Sequence, residues 1–164
     1  METTQGRGAL YVPPGEGRSF WLLGELFTAK AVGEDTGGEF AFVEAITPPQ
    51  AGPPPHIHHR EEETFWGLEG EFEFLVGEET VRAPAGSFVH APKGIAHTYK
   101  NVGTTPGRYV ATIRPAGLEE FFLEVSDPAE DPSAPPPTHG EEVIERILAV
   151  APKYGLEILP PPEQ

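Results

Sequence analysis

The chain has 164 residues, with 11 Lys and Arg against 26 Asp and Glu, for a formal net charge of −15. A hydrophobic content of 38%, with 10% aromatics, supports one folded core and is too apolar for a disordered chain. The acidity works against a nucleic-acid backbone or an anionic membrane as partner, since affinity for either is supplied by Lys and Arg. With Cys 0, a metal can be held only by nitrogen and oxygen, which directs attention to the six His. The start, Met1-Glu2-Thr3-Thr4-Gln5-Gly6-Arg7, lacks the apolar stretch of a signal peptide, and no run approaches the ~18 apolar residues of a spanning helix, so a cytoplasmic location is expected.

The 19 Gly and 20 Pro punctuate short segments of period two. Strands are expected at 19–23, 26–32, 38–47 (with Phe40, Phe42 and Glu44), 64–68, 71–76, 78–83, 87–91, 97–102 and 108–114. Turn signals fall at Glu69-Gly70, Gly77-Glu78 and Gly103-Thr104. Closely spaced short strands of this kind predict an all-β sandwich or barrel. From Gly117 the period changes, and Leu118, Phe121, Phe122 and Val125 mark one face of a helix. Residues 126–137 read as an irregular surface crossing. A second helix is expected after a capping box of Thr138 and Glu141, with His139 solvated in its first turn and Val143, Ile144, Ile147, Leu148 and Ala151 as its buried face. Residues 156–159 can add an edge strand before the proline tail. The expected organisation is a β-barrel over 1–116, with a core of 52–102 around the histidines, and a helical extension over 117–164 packed on it.

The chemistry concentrates in His56-Ile57-His58-His59-Arg60-Glu61-Glu62-Glu63. On a strand, residues i and i+2 share a face, so His56 and His58 can converge on one ion while His59 points away. A carboxylate shortly afterwards and His97 from a remote strand would complete three nitrogens and one oxygen. Strand parity favours Glu62 as that carboxylate. The opposing reading is a solvated polar loop with His97 an ordinary hydrogen-bonded histidine. Four such ligands would leave two positions open on Fe, Mn, Ni or Co, whereas tetrahedral Zn would be filled and structural.

Two segments here resemble the paired motifs of the cupin superfamily. The first motif has His-x-His, three or four residues, Glu, six residues and Gly; His56-Ile57-His58, Glu63 and Gly70 meet it. The second is met at every element by Gly86, Pro92-Lys93-Gly94, His97 and Asn101. One element departs: the family's opening glycine falls where this chain has Gln50, and Gly52-Pro53-Pro54-Pro55 leads into the strand instead. The resemblance implies a double-stranded β-helix, or jelly-roll, barrel with two C-terminal helices added. It also implies one divalent transition metal per chain (Fe, Mn, Ni, Co or Zn) on His56, His58, Glu63 and His97. Its spacing selects Glu63 over Glu62, which requires a turn or bulge at residues 59–62 and places Phe65 inward beside Glu63. Arg60-Glu61-Glu62 is then a solvated corner.

Pro92-Lys93-Gly94 supplies the reversal that returns His97 to the barrel. Tyr99 shares the face of His97 and either lines a pocket or fills core; Asn101 is expected to hold a turn. His90 either faces solvent with Phe88 or stands in the cavity. Gly67 marks a bulge or makes room for a ligand. Phe65, Phe72, Tyr99 and His90 are the candidate substrate contacts. The lead-in Pro-Pro-His-x-His and the Glu-x-Phe strand look like the quercetinase branch, which implies a dioxygenase acting on a small aromatic or enol substrate, with Glu63 as metal ligand and general base. A non-catalytic small-molecule binder, a sugar-phosphate isomerase and a scaffold with a structural metal are the alternatives. By analogy a homodimer is expected through residues 10–12 and 20–23, including Trp21.

Overall fold

A computed structural model of the chain describes residues 8–138 and 140–160. The readings made above for Met1–Arg7, for His139 and for the last prolines fall on residues outside that set. The elements in chain order are β1 (Arg18–Leu22), β2 (Glu25–Ala31), α1 (Gly33–Thr36), β3 (Ala41–Thr47), β4 (His56–His58), β5 (Glu62–Glu69), β6 (Glu71–Val76), β7 (Glu79–Pro84), β8 (Phe88–Ala91), β9 (His97–Asn101), β10 (Gly107–Arg114), α2 (Leu118–Val125), β11 (Asp127–Pro128), α3 (Glu141–Val150), a 3-10 turn (Ala151–Tyr154) and β12 (Leu156–Ile158). Two antiparallel sheets face each other, one ordered β11-β1-β2-β3-β10-β5-β8 and the other β12-β4-β9-β6-β7.

The period-two segments form strands because each has one face to bury. Ala41, Val43, Ala45 and Thr47 on β3, Tyr109, Ala111 and Ile113 on β10, and Phe72 and Phe74 on β6 point into a shared core. Leu118, Phe121, Val125, Val143, Ile147, Ala151 and Leu156 join that same core, so the C-terminal segments pack directly on the barrel. Rings of Phe20, Phe27 and Phe122 stack at centroid distances of 5.5, 5.6 and 6.1 Å, fastening α2 to β1 and β2. Buried Glu119 accepts from the N–H groups of Gly33 and Gly117 at 2.7 and 2.6 Å, satisfying donors at the start of α2 and tying it to the loop after β2.

Several expectations are corrected. Residues 126–137 are not wholly irregular, since Asp127 and Pro128 pair with Trp21 and Phe20. That pairing occupies the outer edge of β1 at Phe20 and Trp21, and Phe20 and Leu22 are buried in the chain's own core. No Thr138–Glu141 capping box forms: the N-cap of α3 is Gly140, whose N–H is met by the Glu142 carboxylate at 3.2 Å. Val143 and Ile147 are the buried face of α3, continued by Ala151 in the 3-10 turn, whereas Ile144 and Leu148 are 45% and 51% exposed, because one narrow stripe suffices to meet the barrel.

Backbone conformation explains the departure at Gln50. This residue takes φ 66°, the left-handed region where the family pattern has glycine, and its N–H donates to the Asn101 carbonyl at 2.8 Å. Asn101 in turn is fully buried and donates to the carbonyls of Thr47 and Thr105, both at 2.9 Å. Gly52 has a stricter requirement, since a Cβ there would lie 1.9 Å from the Tyr99 carbonyl oxygen. The proline run is therefore threaded against β9 at a point only glycine permits, and this fixes where β4 begins.

Candidate metal centre

β4 and β9 lie side by side with His56 opposite His97. Parity places His56 and His58 on the inward face, and the His59–Arg60 bend resets that parity before β5. Glu63 and Phe65 thereby point inward and Glu62 outward, so the carboxylate chosen by motif spacing is the one that reaches the histidines. Gly94 makes the return: at φ 81° it donates its N–H to the His58 carbonyl at 2.8 Å, binding the turn before His97 to the strand of His58.

Three imidazoles from one sheet and a carboxylate from the other meet in the interior. Ring centroids are 4.4 Å apart for His56–His97, 4.8 Å for His56–His58 and 5.2 Å for His58–His97. Glu63 Oε2 lies 2.9 Å from His97 Nε2 and 3.1 Å from His58 Nε2. One donor atom from each of the four residues falls within 4.8 Å of all the others. Donors about 2.1 Å from a common ion stand ~3.0 Å apart when adjacent and ~4.2 Å when opposite, so an ion is accommodated after small inward movements.

The surroundings prepare these rings as ligands. His56 Nδ1 donates to the Pro54 carbonyl at 2.9 Å and His58 Nδ1 to the Glu61 carboxylate at 3.2 Å, leaving each Nε2 lone pair for an ion. His58 Nε2 is buried without an aligned hydrogen-bond partner despite its closeness to Glu63, and His97 Nδ1 is also unpartnered. A buried imidazole nitrogen left without a hydrogen bond, beside a carboxylate and two further imidazoles, has the partner it lacks supplied by a cation, so the four residues fit a metal ion. Burial, reinforced by the charges of His97 and His58, lowers His56 to about 3 and keeps it neutral. Burial also pulls His58 down, but Glu63 and Glu61 outweigh it and raise the group to about 9. Burial opposes ionisation of Glu63, yet His58 and His97 together hold its carboxyl well below the usual range.

The cluster opens on a cavity of about 80 Å³ lined by His56, His58, Glu63, Phe65, Tyr99 and Tyr109 among others. That is room for several waters or a compact organic molecule. Of the candidate contacts, Phe65 and Tyr99 line it and Phe72 does not: Phe72 pairs one inward position beyond Tyr99, opposite Asn101, and packs at 5.5 Å against Tyr109. His90 is corrected as well. It alternates outward with Phe88 on β8 and meets Glu62 at 3.1 Å on the exterior. Gly67 proves to be the bulge: β10 skips Leu68 between Glu69 and Gly67, and a Cβ on Gly67 would face the backbone of Pro84 and Ala85, not the cavity. Arg60-Glu61-Glu62 is not uniformly solvated, because Glu61 is 3% exposed and orients His58. Glu61 was hidden in a charge run. Glu25, also on the cavity wall, shares the strand parity of Phe27 and Ala29, a signal that a lone acid in an apolar strand could have given.

A family model described as a cupin domain matches residues 42–113. Residues 42–113 are a cupin domain. The relatives of this cupin include the quercetin 2,3-dioxygenase of Bacillus subtilis (strain 168), 25% identical over 152 residues that take in 91% of this chain and 45% of the relative, so the chain spans a little under half that protein's length. Similar folds occur in a predicted oxalate decarboxylase of Thermotoga maritima (TM-score 0.59, 22% identity, 64% of this chain and 98% of that one) and in KdgF from Halomonas sp. (TM-score 0.60, 17% identity, 69% and 98%). Among the described residues of this cupin, no helix is long and apolar enough to cross a membrane.

Proposed function

We propose that this cupin is a metal-dependent dioxygenase of a small aromatic or enol substrate, with one divalent transition metal held by His56, His58, Glu63 and His97. The observation that carries the reading is a buried set of three nitrogens and one oxygen opening on a cavity walled by Phe65, Tyr99 and Tyr109. The similarity to a quercetin 2,3-dioxygenase along most of the chain supports it. The bound ion would supply Lewis acidity toward a substrate hydroxyl and a path for electrons to dioxygen. Glu63, placed between two imidazoles, accepts the hydroxyl proton as general base. Phe27, Phe65, Phe121 and Phe122 exclude bulk water and present ring edges and faces to a flat substrate.

An isomerase acting on sugar phosphates would need a cationic rim for the phosphate, and no Lys or Arg lines the cavity among the described residues. Oxygen-electrode screening of the metal-loaded protein against flavonols and small diketones tests the activity. Substrate-dependent oxygen uptake that is lost in Glu63→Gln and kept in Glu62→Gln is expected; uptake with neither substrate class overturns the reading. The expected assembly is a homodimer using exposed Leu10 and Tyr11, and light scattering coupled to size exclusion reads its mass.

A further inference from the structure

The cavity has a second polar wall that metal binding does not use. Glu25 begins β2 directly after the turn at Leu23-Gly24, is 2% exposed, and lines the same cavity as His56, His58 and Glu63. Its Oε1 accepts from the Thr47 hydroxyl at 2.7 Å and the Tyr99 hydroxyl at 2.9 Å. The Tyr109 oxygen lies 2.5 Å from that of Tyr99. Since the single Tyr99 proton goes to Glu25, the Tyr99 oxygen accepts from Tyr109, and the three groups form a directed relay. Among the described residues no Lys, Arg or His forms an ion pair with Glu25. Burial, opposed by the Thr47 and Tyr99 hydrogen bonds, raises its carboxyl to about 7. Burial and then the Glu25 charge hold both phenols well above their ordinary range, so they remain neutral donors.

A carboxyl set in an apolar wall without a cation is costly to maintain. Its Oε2 has only a share of the Tyr99 proton, at 3.1 Å, and so retains capacity for one more partner. We propose that Glu25, backed by Tyr99 and Tyr109, is a second ligand-binding station that takes a hydroxyl of a compact aromatic diol or enol whose other oxygen sits at the His56–His58–Glu63–His97 end. The proposal rests on the reading of that end as a metal centre. A hydroxyl suits Glu25 because it both donates and accepts, and so matches the carboxyl in either protonation state. On β9, His97 and Tyr99 are successive inward residues with Cα atoms about 7 Å apart, so the two ends lie in sequence along one wall of the cavity. Phe65 bridges them, its ring centroid 6.1 Å from His97 and 5.9 Å from Tyr99. The matching ligand has a flat apolar body with an oxygen at each end.

Calorimetric titration of hydroquinone, and of phenol with one hydroxyl fewer, into metal-loaded and metal-stripped protein under argon tests this. The wild type is expected to bind the diol at least tenfold more tightly, and Glu25→Gln and Tyr99→Phe are expected to bind the two probes alike while keeping wild-type metal content and a cooperative thermal transition. A diol preference that survives both substitutions, or a wild type with no preference or no binding of either probe, overturns the proposal. Metal stripping reads the other end separately. It weakens both probes together if the ion anchors their shared hydroxyl and changes neither if the metal reading is wrong, while the diol preference still decides the role of Glu25. Should Glu25→Gln fail to fold, Tyr99→Phe retains the ring in the core and carries the test.

Discussion

Glu25 makes stability depend on pH in a way that one substitution isolates. The carboxyl titrates near its ordinary 4.5 in the unfolded chain and at about 7 in the folded protein, because burial disfavours its charge. Between those values the native state holds the extra proton, so the contribution is fully present below the unfolded value and is lost as pH rises through the folded one. At 1.36 kcal/mol for each unit, the difference amounts to about 3 kcal/mol, nearly all of it lost between about pH 4 and 8. In Glu25→Gln the side chain is neutral throughout and its oxygen still accepts from Thr47 and Tyr99, so any packing cost is independent of pH. Urea unfolding of both proteins across this range gives the difference in unfolding free energy, which is expected to move against the wild type by about 3 kcal/mol as pH rises. A flat difference, or one moving in favour of the wild type, refutes the reasoning.

Glu61→Ala removes the acceptor that orients His58 Nδ1, and metal affinity measured by competition with a chromogenic chelator is expected to fall ~10–100-fold while Glu62→Ala leaves it unchanged. Gly52→Ala drives a methyl to 1.9 Å from the Tyr99 carbonyl, and since backbone must move to relieve it, chemical denaturation should show a loss of ~1–3 kcal/mol or more together with weakened metal binding.

The barrel strands were legible because period-two burial leaves a direct mark on sequence, and the clustering of His56, His58, Glu63 and His97 because His-x-His parity and motif spacing converge on one side of the chain. Spacing outperformed strand parity at Glu63, where two bent residues after His58 reset the alternation. What sequence concealed were side chains whose role depends on a third dimension. Glu61 lay inside a charge run that local reading assigns to solvent, yet it turns inward under His58. Glu25 sits at the strand start, where parity with Phe27 was its only sign; its partners Thr47 and Tyr99, and Tyr109 behind Tyr99, arrive from three other strands. His90 sat among apolar neighbours and faces out because Val89 and Ala91 take the inward positions. The α3 cap failed for a related reason: the Thr138–Glu141 pattern is present, but the helix begins at Glu141 itself.

Metal content is the most direct test of the site. Elemental analysis of protein purified without chelator, alongside His56→Ala/His58→Ala and Glu63→Gln, is expected to find close to one equivalent of a divalent transition metal in the wild type. The double variant, folded by circular dichroism, should carry less than about a tenth of that. Equal metal content in the wild type and a folded double variant would contradict a centre built on His56, His58, Glu63 and His97.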